Sequence, residues 1–191
     1  HAGFAWDLHP QEKHLAQVLR KHGYVTALVG IHHESRRESP DRLAARCGLD
    51  YLIPPDRGEP LTQQAIALLG QFSLQERPFY LQLSYREPHR TAAQQRDEPD
   101  YMGFVGDYIT PDTQRGVAVP PYLRDTPAAR EEMAEFQGAV HYVDTCVGQL
   151  LHGLEELGLA DNTLLIVTTD HGMALPRAKY SLYDPGLEVV L

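Results

Sequence analysis

Cysteine is scarce, basic charge is in the minority and no long apolar run occurs in this chain of 191 residues, and each shortage removes a class of protein. The cysteines are Cys47, in ARCGLD, and Cys146, in VDTCVG. Their surroundings lack the spacing of a metal site, a pair so sparse does not settle the redox compartment, and both read as buried free thiols. Asp and Glu number 26 against 17 Lys and Arg, a formal net charge of -9, and the acidic residues are scattered rather than gathered in a tail. Nucleic acid is therefore excluded as a bulk electrostatic partner, while a local basic pocket for a small anion stays open. No stretch is apolar enough to span a bilayer, and no signal peptide is recognisable. The chain opens on HAGFAWDLHP without an initiator methionine and closes on GLEVVL, an apolar run of the kind that enters a sheet. The expectation is a piece of a longer polypeptide, cut at both ends, with its oligomeric state undetermined.

What is present is ordinary globular composition, 42% hydrophobic and 23% charged, enough to bury one sizeable core. LAQVLRKHG sets Leu15, Val18 and Leu19 at helical spacing, with Pro10 ahead and Gly23 where a C-terminal cap belongs. YVTALVG follows, β-branched and stopped by Gly30. A second helix is predicted over Leu61–Leu69, after Pro54, Pro55 and Pro60, and PFYLQLSY, residues 78–85, is a strand that runs into REPHR. From Glu87 to Pro127 the chain is rich in Pro, Asp, Gln, Gly and Arg, which marks a long loop region of the functional kind. Thr126 as N-cap and Pro127 in the first turn open a long helix. Phe136, Val140, Val143, Val147, Leu150, Leu151 and Leu154 form its apolar face, and Gly158 ends it. TLLIVTT is then a buried strand that passes into Asp170, His171 and Gly172. Strands alternating with helices imply an α/β fold whose mostly parallel sheet is flanked by helices on both faces.

In such sheets ligands gather beyond the carboxyl ends of the strands. Three ends here carry polar residues: His32 and His33 after TALVG, His89 after LQLSY, and Asp170 with His171 after LLIVTT. Asp170 and His171 can offer an oxygen and a nitrogen to a divalent cation, with Gly172 letting the backbone pass close to a ligand. Spacing alone leaves equally open that Asp170 caps a turn and His171 is a surface residue. His89, fixed behind Pro88, can donate to an anionic ester or protonate a leaving group. Lys179 can present a compact positive charge to a sulfate or phosphate oxygen. Taken singly, a solvated side chain is the simpler reading of each. His14, His22, His141 and His152 fall in predicted helices and read as partly exposed, while Glu34, Arg36, Arg37, Arg86 and Arg90 flank the strand ends without a distinguishing sign.

Four stretches, HLAQVLRKHGYVTALVGIHHE, PFYLQLSYREPHR, VDTCVGQLLHGLEELGLADNTLLIVTTDHG and KYSLYDPGLEVVL, in this order and over nearly the whole chain, resemble a sulfatase of the alkaline-phosphatase-like superfamily. The third is the most specific, and the PHR stretch is similar to that of heparan N-sulfatase and related bacterial sulfatases. The resemblance implies that residues 1–191 are part of a single N-terminal-type catalytic domain with an alkaline-phosphatase-like fold. It implies that Asp170 and His171 are metal ligands, usually for calcium, with magnesium the alternative. His89 then contacts the sulfate and the leaving-group oxygen, and Lys179 contacts the sulfate. His33 takes the place of the histidine in the family's Gly-Lys-x-His motif and acts on the nucleophile's hydroxyl.

Two departures qualify the resemblance. The lysine of that motif is Ile31 here, which removes one positive charge beside the nucleophile. The Cys-x-Pro-Ser-Arg signature, whose cysteine becomes formylglycine, is absent together with the family's early Asp-Asp metal pair, and both normally lie upstream of HAGFAW. The implied function is a fragment, inactive alone, of an enzyme that hydrolyses sulfate esters or sulfamates on a small-molecule or saccharide substrate. One alternative keeps the fold and changes the chemistry, to a phosphodiesterase or phosphonate hydrolase. Another, motivated by Ile31, is a non-catalytic binding protein on a degenerate scaffold. The compartment follows from sequence upstream: periplasmic, secreted or lysosomal with a signal peptide, cytoplasmic without one.

Overall fold

Strand β1, Val25–Gly30, is buried at all six positions, so it requires cover on both faces. In the computed structural model, which describes residues 9, 11–35, 38–92, 102–104 and 108–190, β1 is the middle strand of a three-stranded parallel sheet. Its neighbours are β2, Tyr51–Ile53, on one side and β3, Phe79–Ser84, on the other, in register Ala27 to Tyr51 and Val25 to Phe79. Alternate side chains leave β1 in opposite directions. Val25, Ala27 and Val29 pack with Leu61, Ala65, Leu68, Leu69 and Phe72 of helix α3, Gly58–Ser73, and with Leu150 and Leu154. Leu28 packs the other way, with Ala16 of α1, Leu15–Lys21, and with Leu43 and Cys47 of α2, Pro40–Cys47. The predicted arrangement, a parallel sheet between helices, is therefore the one observed.

Helix α2 and strand β2 are additions to the sequence reading. The signals for α2 are local: Ser39 accepts from the Arg42 amide as N-cap, Pro40 opens the first turn, and Gly48 closes it in a left-handed conformation. At eight residues among many polar ones, the helix has only Leu43 and Cys47 to bury, too few for a periodic pattern. Strand β2 has three residues and is defined by its pairing with β1 rather than by its own composition.

The chain forms two compact units, one of His1–Arg86 with Cys146–Asp161 and one of Glu87–Thr145 with Asn162–Leu191. The sheet belongs to the first. The second holds a separate core of Phe104, Ile109, Met133, Ala139 and Leu175, with a short antiparallel pair, β4 at Thr91–Ala92 and β5 at Met102–Gly103. Helix α4, Pro127–Glu156, is capped as its sequence predicts, with the Thr126 hydroxyl accepting from the Ala129 amide at 3.2 Å. Its apolar face differs from the predicted one. Val140 and Leu151 are exposed, while Met133, Ala139 and Cys146 are buried along with Leu150 and Leu154. Small and sulfur-bearing residues, which carry little weight in a hydrophobic pattern, replace two of the expected aliphatics at the packed positions.

The largest correction concerns residues 163–169. Expected as a buried strand, they carry no strand pairing among the described residues, and Leu164, Ile166 and Val167 are exposed by 86%, 65% and 49%. The closing run is similar: Asp184–Leu187 is a short helix, α5, and Val189 and Val190 are exposed. At the end of the segment the Thr169 amide donates to the Val190 carbonyl at 3.3 Å and the Val190 amide to the Thr169 hydroxyl at 3.1 Å. Apolar, β-branched residues suit a sheet, but a strand exists only where a neighbouring backbone completes the ladder.

Two local features determine how the chain leaves β1. Gly30 has φ +102°, and the Ile31 amide still donates to the Ser84 carbonyl at 3.0 Å; a β-carbon on Gly30 would stand 2.2 Å from that oxygen. Only glycine allows this exit. Just beyond, Glu34 lies 3.6 Å from the imidazole of His14 and 3.5 Å from that of His32. His14 is partly exposed, as predicted, but stands just ahead of the helix rather than in it: its ring accepts from the Ala16 amide as the N-cap of α1, and its side chain is 12% exposed. Burial is the largest influence on Glu34 and opposes its ionisation, yet the His14 imidazole, a local backbone hydrogen bond and the charge of His32 together hold its carboxyl below the ordinary glutamate value.

Within the sheet, Thr26 is fully buried and fully used: its hydroxyl donates to the Gly48 carbonyl at 2.7 Å, and its amide donates to the Asp50 carboxylate at 3.1 Å. Replacing Thr26 with Val keeps the shape and strands the Gly48 acceptor. Urea denaturation should show a loss of about 1–3 kcal/mol, and an unchanged midpoint would remove this bond from the account. For Glu34 the depressed carboxyl stabilises the fold above the unfolded value near 4.5, and that contribution is lost as pH falls through the lower folded value. Glu34→Gln should therefore lower stability at neutral pH and flatten its fall at acid pH; identical slopes in the two proteins would contradict this.

Candidate active site

The second unit brings His89 and Lys179 together. The Nζ of Lys179 lies 2.9 Å from the Nε2 of His89, and the Nδ1 of His89 lies 2.5 Å from the carbonyl oxygen of Arg90. A carbonyl can only accept, so Nδ1 carries a proton and Nε2 faces the lysine. One proton then occupies the line between Nε2 and Nζ, and the pair holds one positive charge whichever of the two carries that proton. Both groups lie toward solvent, His89 exposed and Lys179 half-buried.

Each partner sits on a loop with its own anchors. Ahead of His89, the buried Glu87 accepts from the Tyr108 hydroxyl at 2.6 Å, and the Tyr108 ring meets Tyr142 edge-on at 5.3 Å. The Glu87-Pro88 peptide is cis. On the other side, the Met173 carbonyl accepts from the amides of Leu175 at 2.8 Å and Lys179 at 2.9 Å, closing a tight loop over the buried Leu175 and Ala178. Arg177 and Tyr180, either side of Lys179, hold left-handed backbone at φ 65° and 64°. That conformation costs a side-chain-bearing residue roughly 1–2 kcal/mol, so the packed loop dictates where the ammonium points.

Asp170 and His171 form the second pair. Their Oδ2 and Nε2 are 3.4 Å apart, and the Nδ1 of His171 donates to the Gly172 carbonyl at 2.8 Å. With the proton on Nδ1, Nε2 and the carboxylate present two lone pairs to one spot, a donor set that suits a divalent cation. Among the described residues, no group of three or more His, Cys, Asp and Glu side chains is arranged to hold a metal ion. The pair fits part of a shell. Gly172 has a packing task as well: a β-carbon there would stand 1.7 Å from the Pro185 carbonyl, so it lets residues 185–186 close against this turn.

His33 is exposed immediately beyond β1, in the first unit. Both cysteines are free and buried, as predicted, and burial, reinforced by the carboxylates of Glu34 and Glu38, pushes the Cys47 thiol above its ordinary value against the opposing pull of Arg46. Neither is placed as a nucleophile. His141 and His152 are exposed helix residues, as predicted. Arg36 and Arg37 lie outside the described residues.

One residue the sequence gives no means of separating from a solvated rim is Arg90. Its Nε donates to the Ala174 carbonyl at 2.6 Å, its Nη2 pairs with the Glu132 carboxylate, and its guanidinium lies 4.6 Å from the centre of the buried Phe104 ring. These partners are 84, 42 and 14 residues away in sequence, beyond the reach of any local pattern.

Comparison with known proteins gives this arrangement its context. The family model described as Sulfatase matches residues 1–191. The chain is 33% identical over 125 residues to the N-sulphoglucosamine sulphohydrolase of Homo sapiens, covering 58% of this chain and 24% of that protein. It is 28% identical over 176 residues to the iduronate 2-sulfatase of Homo sapiens, covering 76% of this chain and 32% of that one. The chain thus spans about a quarter to a third of the length of these relatives. A solved protein of the alkaline phosphatase superfamily from Vibrio parahaemolyticus shares the fold, with TM-score 0.53 and 16% identity over 91% of this chain and 39% of that one. The chain belongs to the sulfatase family.

Proposed function

We propose that this chain forms part of a hydrolase that cleaves a sulfate ester or sulfamate from a saccharide. The observation that carries the reading is the contact between His89 and Lys179, which puts a cationic ammonium beside an imidazole nitrogen that can take up and pass on a proton. Those are the two things a departing sulfated alcohol or amine needs: charge to offset that on the sulfate oxygens and a proton for the leaving atom. The named substrates of the relatives, an N-sulphoglucosamine and an iduronate, support a sugar as the carrier.

A formylglycine from outside residues 1–191 would supply the hydroxyl that attacks sulfur, and a divalent cation, calcium or magnesium, would supply positive charge against the sulfate. Asp170 and His171 would hold part of that cation's shell. Lys179 turns its ammonium, with all its protons, from His89 to a non-bridging sulfate oxygen; the Nε2 so vacated takes up a proton from solvent, and His89 delivers that proton to the bridging oxygen or nitrogen as its bond to sulfur breaks. The hydrogen bond from Nδ1 to the Arg90 carbonyl keeps the ring facing the leaving atom throughout. His33 would serve the nucleophile's hydroxyl.

Side-by-side turnover of an aryl sulfate and an aryl phosphate diester by the full-length protein tests the class, with the sulfate expected to be the better substrate; preference for the diester would move the chain to phosphodiester chemistry, and no turnover of either would favour a binding scaffold. Lys179→Ala should lower kcat/KM by roughly tenfold to a thousandfold, the loss typical of one charge-stabilising donor, and a wild-type rate would remove Lys179 from the mechanism. Asp170→Ala should weaken the thermal stabilisation that added calcium gives the full-length protein, whereas an unchanged calcium response would refute the ligand assignment.

A further inference from the structure

The geometry points to Arg90 as a positioning residue that sets His89 opposite Lys179, a role that rests on the reading of that pair as the proton-donating site. Three observations converge on it. Its own carbonyl is the acceptor that directs His89, through the 2.5 Å contact with Nδ1. Its Nε donates to the carbonyl of Ala174, the residue next to Met173, whose carbonyl in turn accepts from the Lys179 amide. Its Nη2 pairs with Glu132 on α4, and the Phe104 ring backs the guanidinium. One side chain therefore ties together the loop that carries His89, the loop that carries Lys179 and the helix both rest on.

A substrate-binding arginine presents its fork to the ligand. Here Nε and Nη2 are spent on the protein, one face of the guanidinium lies on Phe104, and the side chain is only 19% exposed. The planar fork matters because the Ala174 carbonyl and the Glu132 carboxylate lie in different directions from the same group. Lysine, with one point of charge, can serve either partner but not both. Loss of the clamp leaves every reacting group present but frees the Arg90 carbonyl and the Met173–Lys179 loop to drift relative to each other, and displacements on the order of 1 Å can cost about a hundredfold in rate.

The test uses the full-length protein with Arg90→Met, Arg90→Lys and, as a variant that keeps the clamp's shape, Glu132→Gln. Steady-state kinetics on a sulfate ester should show kcat falling on the order of a hundredfold in Arg90→Met and less in Arg90→Lys and Glu132→Gln, with KM within about threefold of wild type. Imidazole nitrogen shifts should show His89 protonated on Nδ1 in the wild type and mixed between the two nitrogens in Arg90→Met. A raised KM with unchanged kcat would make Arg90 a substrate contact and overturn the inference. So would an unaltered His89 tautomer in a folded Arg90→Met protein. Should Arg90→Met fail to fold, Arg90→Lys and Glu132→Gln decide by the same two readouts. If the wild-type protein turns over no sulfate ester, the functional reading fails, and the tautomer measurement still decides whether Arg90 orients His89.

Discussion

A strand with no solvent face has to be covered twice, and that requirement on β1 organises the first unit: its alternating residues feed two separate cores, one under α3 and one under α1 and α2. Parallel pairing on both edges then sends the carboxyl ends of β1 and β3 in the same direction. The exit at Gly30 is as constrained as the strand itself, because the neighbouring Ser84 carbonyl occupies the space of a β-carbon. His32, His33 and Glu34 are therefore delivered at a defined point by backbone geometry rather than by their own chemistry.

In the second unit the same economy applies to side chains. Backbone carbonyls do the directing: Arg90 O for His89, Gly172 O for His171, Met173 O for the loop of Lys179, and Ala174 O for Arg90. Each histidine spends Nδ1 on a carbonyl and so has Nε2 left for function, facing an ammonium in one case and a carboxylate in the other. Two imidazoles with the same tautomer meet different neighbours. Beside a cation, Nε2 shares a proton; beside an anion, it completes a pair of lone-pair donors.

What could be read in the sequence was what is local. The caps of α4 at Thr126 and Pro127, the apolar block of β1 and the stop at Gly30 are all encoded within a few residues, and they appear where expected. The pairing of His89 with Lys179 was legible only through resemblance, since 90 residues separate them. Residues 163–169 failed for the opposite reason: their apolar, β-branched composition is a sound local signal, but a strand also requires a partner, which composition does not encode. His14 was misplaced by a single residue, yet that shift turns a helix-surface residue into the cap that faces Glu34. Arg90 could not have been found at all, because each of its contacts is made by the fold.

We propose that Lys179 and His89 divide a sulfated substrate between them, the ammonium serving the sulfate and the Nε2 of His89, once protonated, the leaving atom. A crystal structure of the full-length protein with a slowly hydrolysed sulfated sugar measures this directly. It should show a non-bridging sulfate oxygen within hydrogen-bonding distance of the Lys179 Nζ and the bridging atom facing the His89 Nε2. A sulfate bound away from both, with the contact between lysine and histidine still closed, would contradict it.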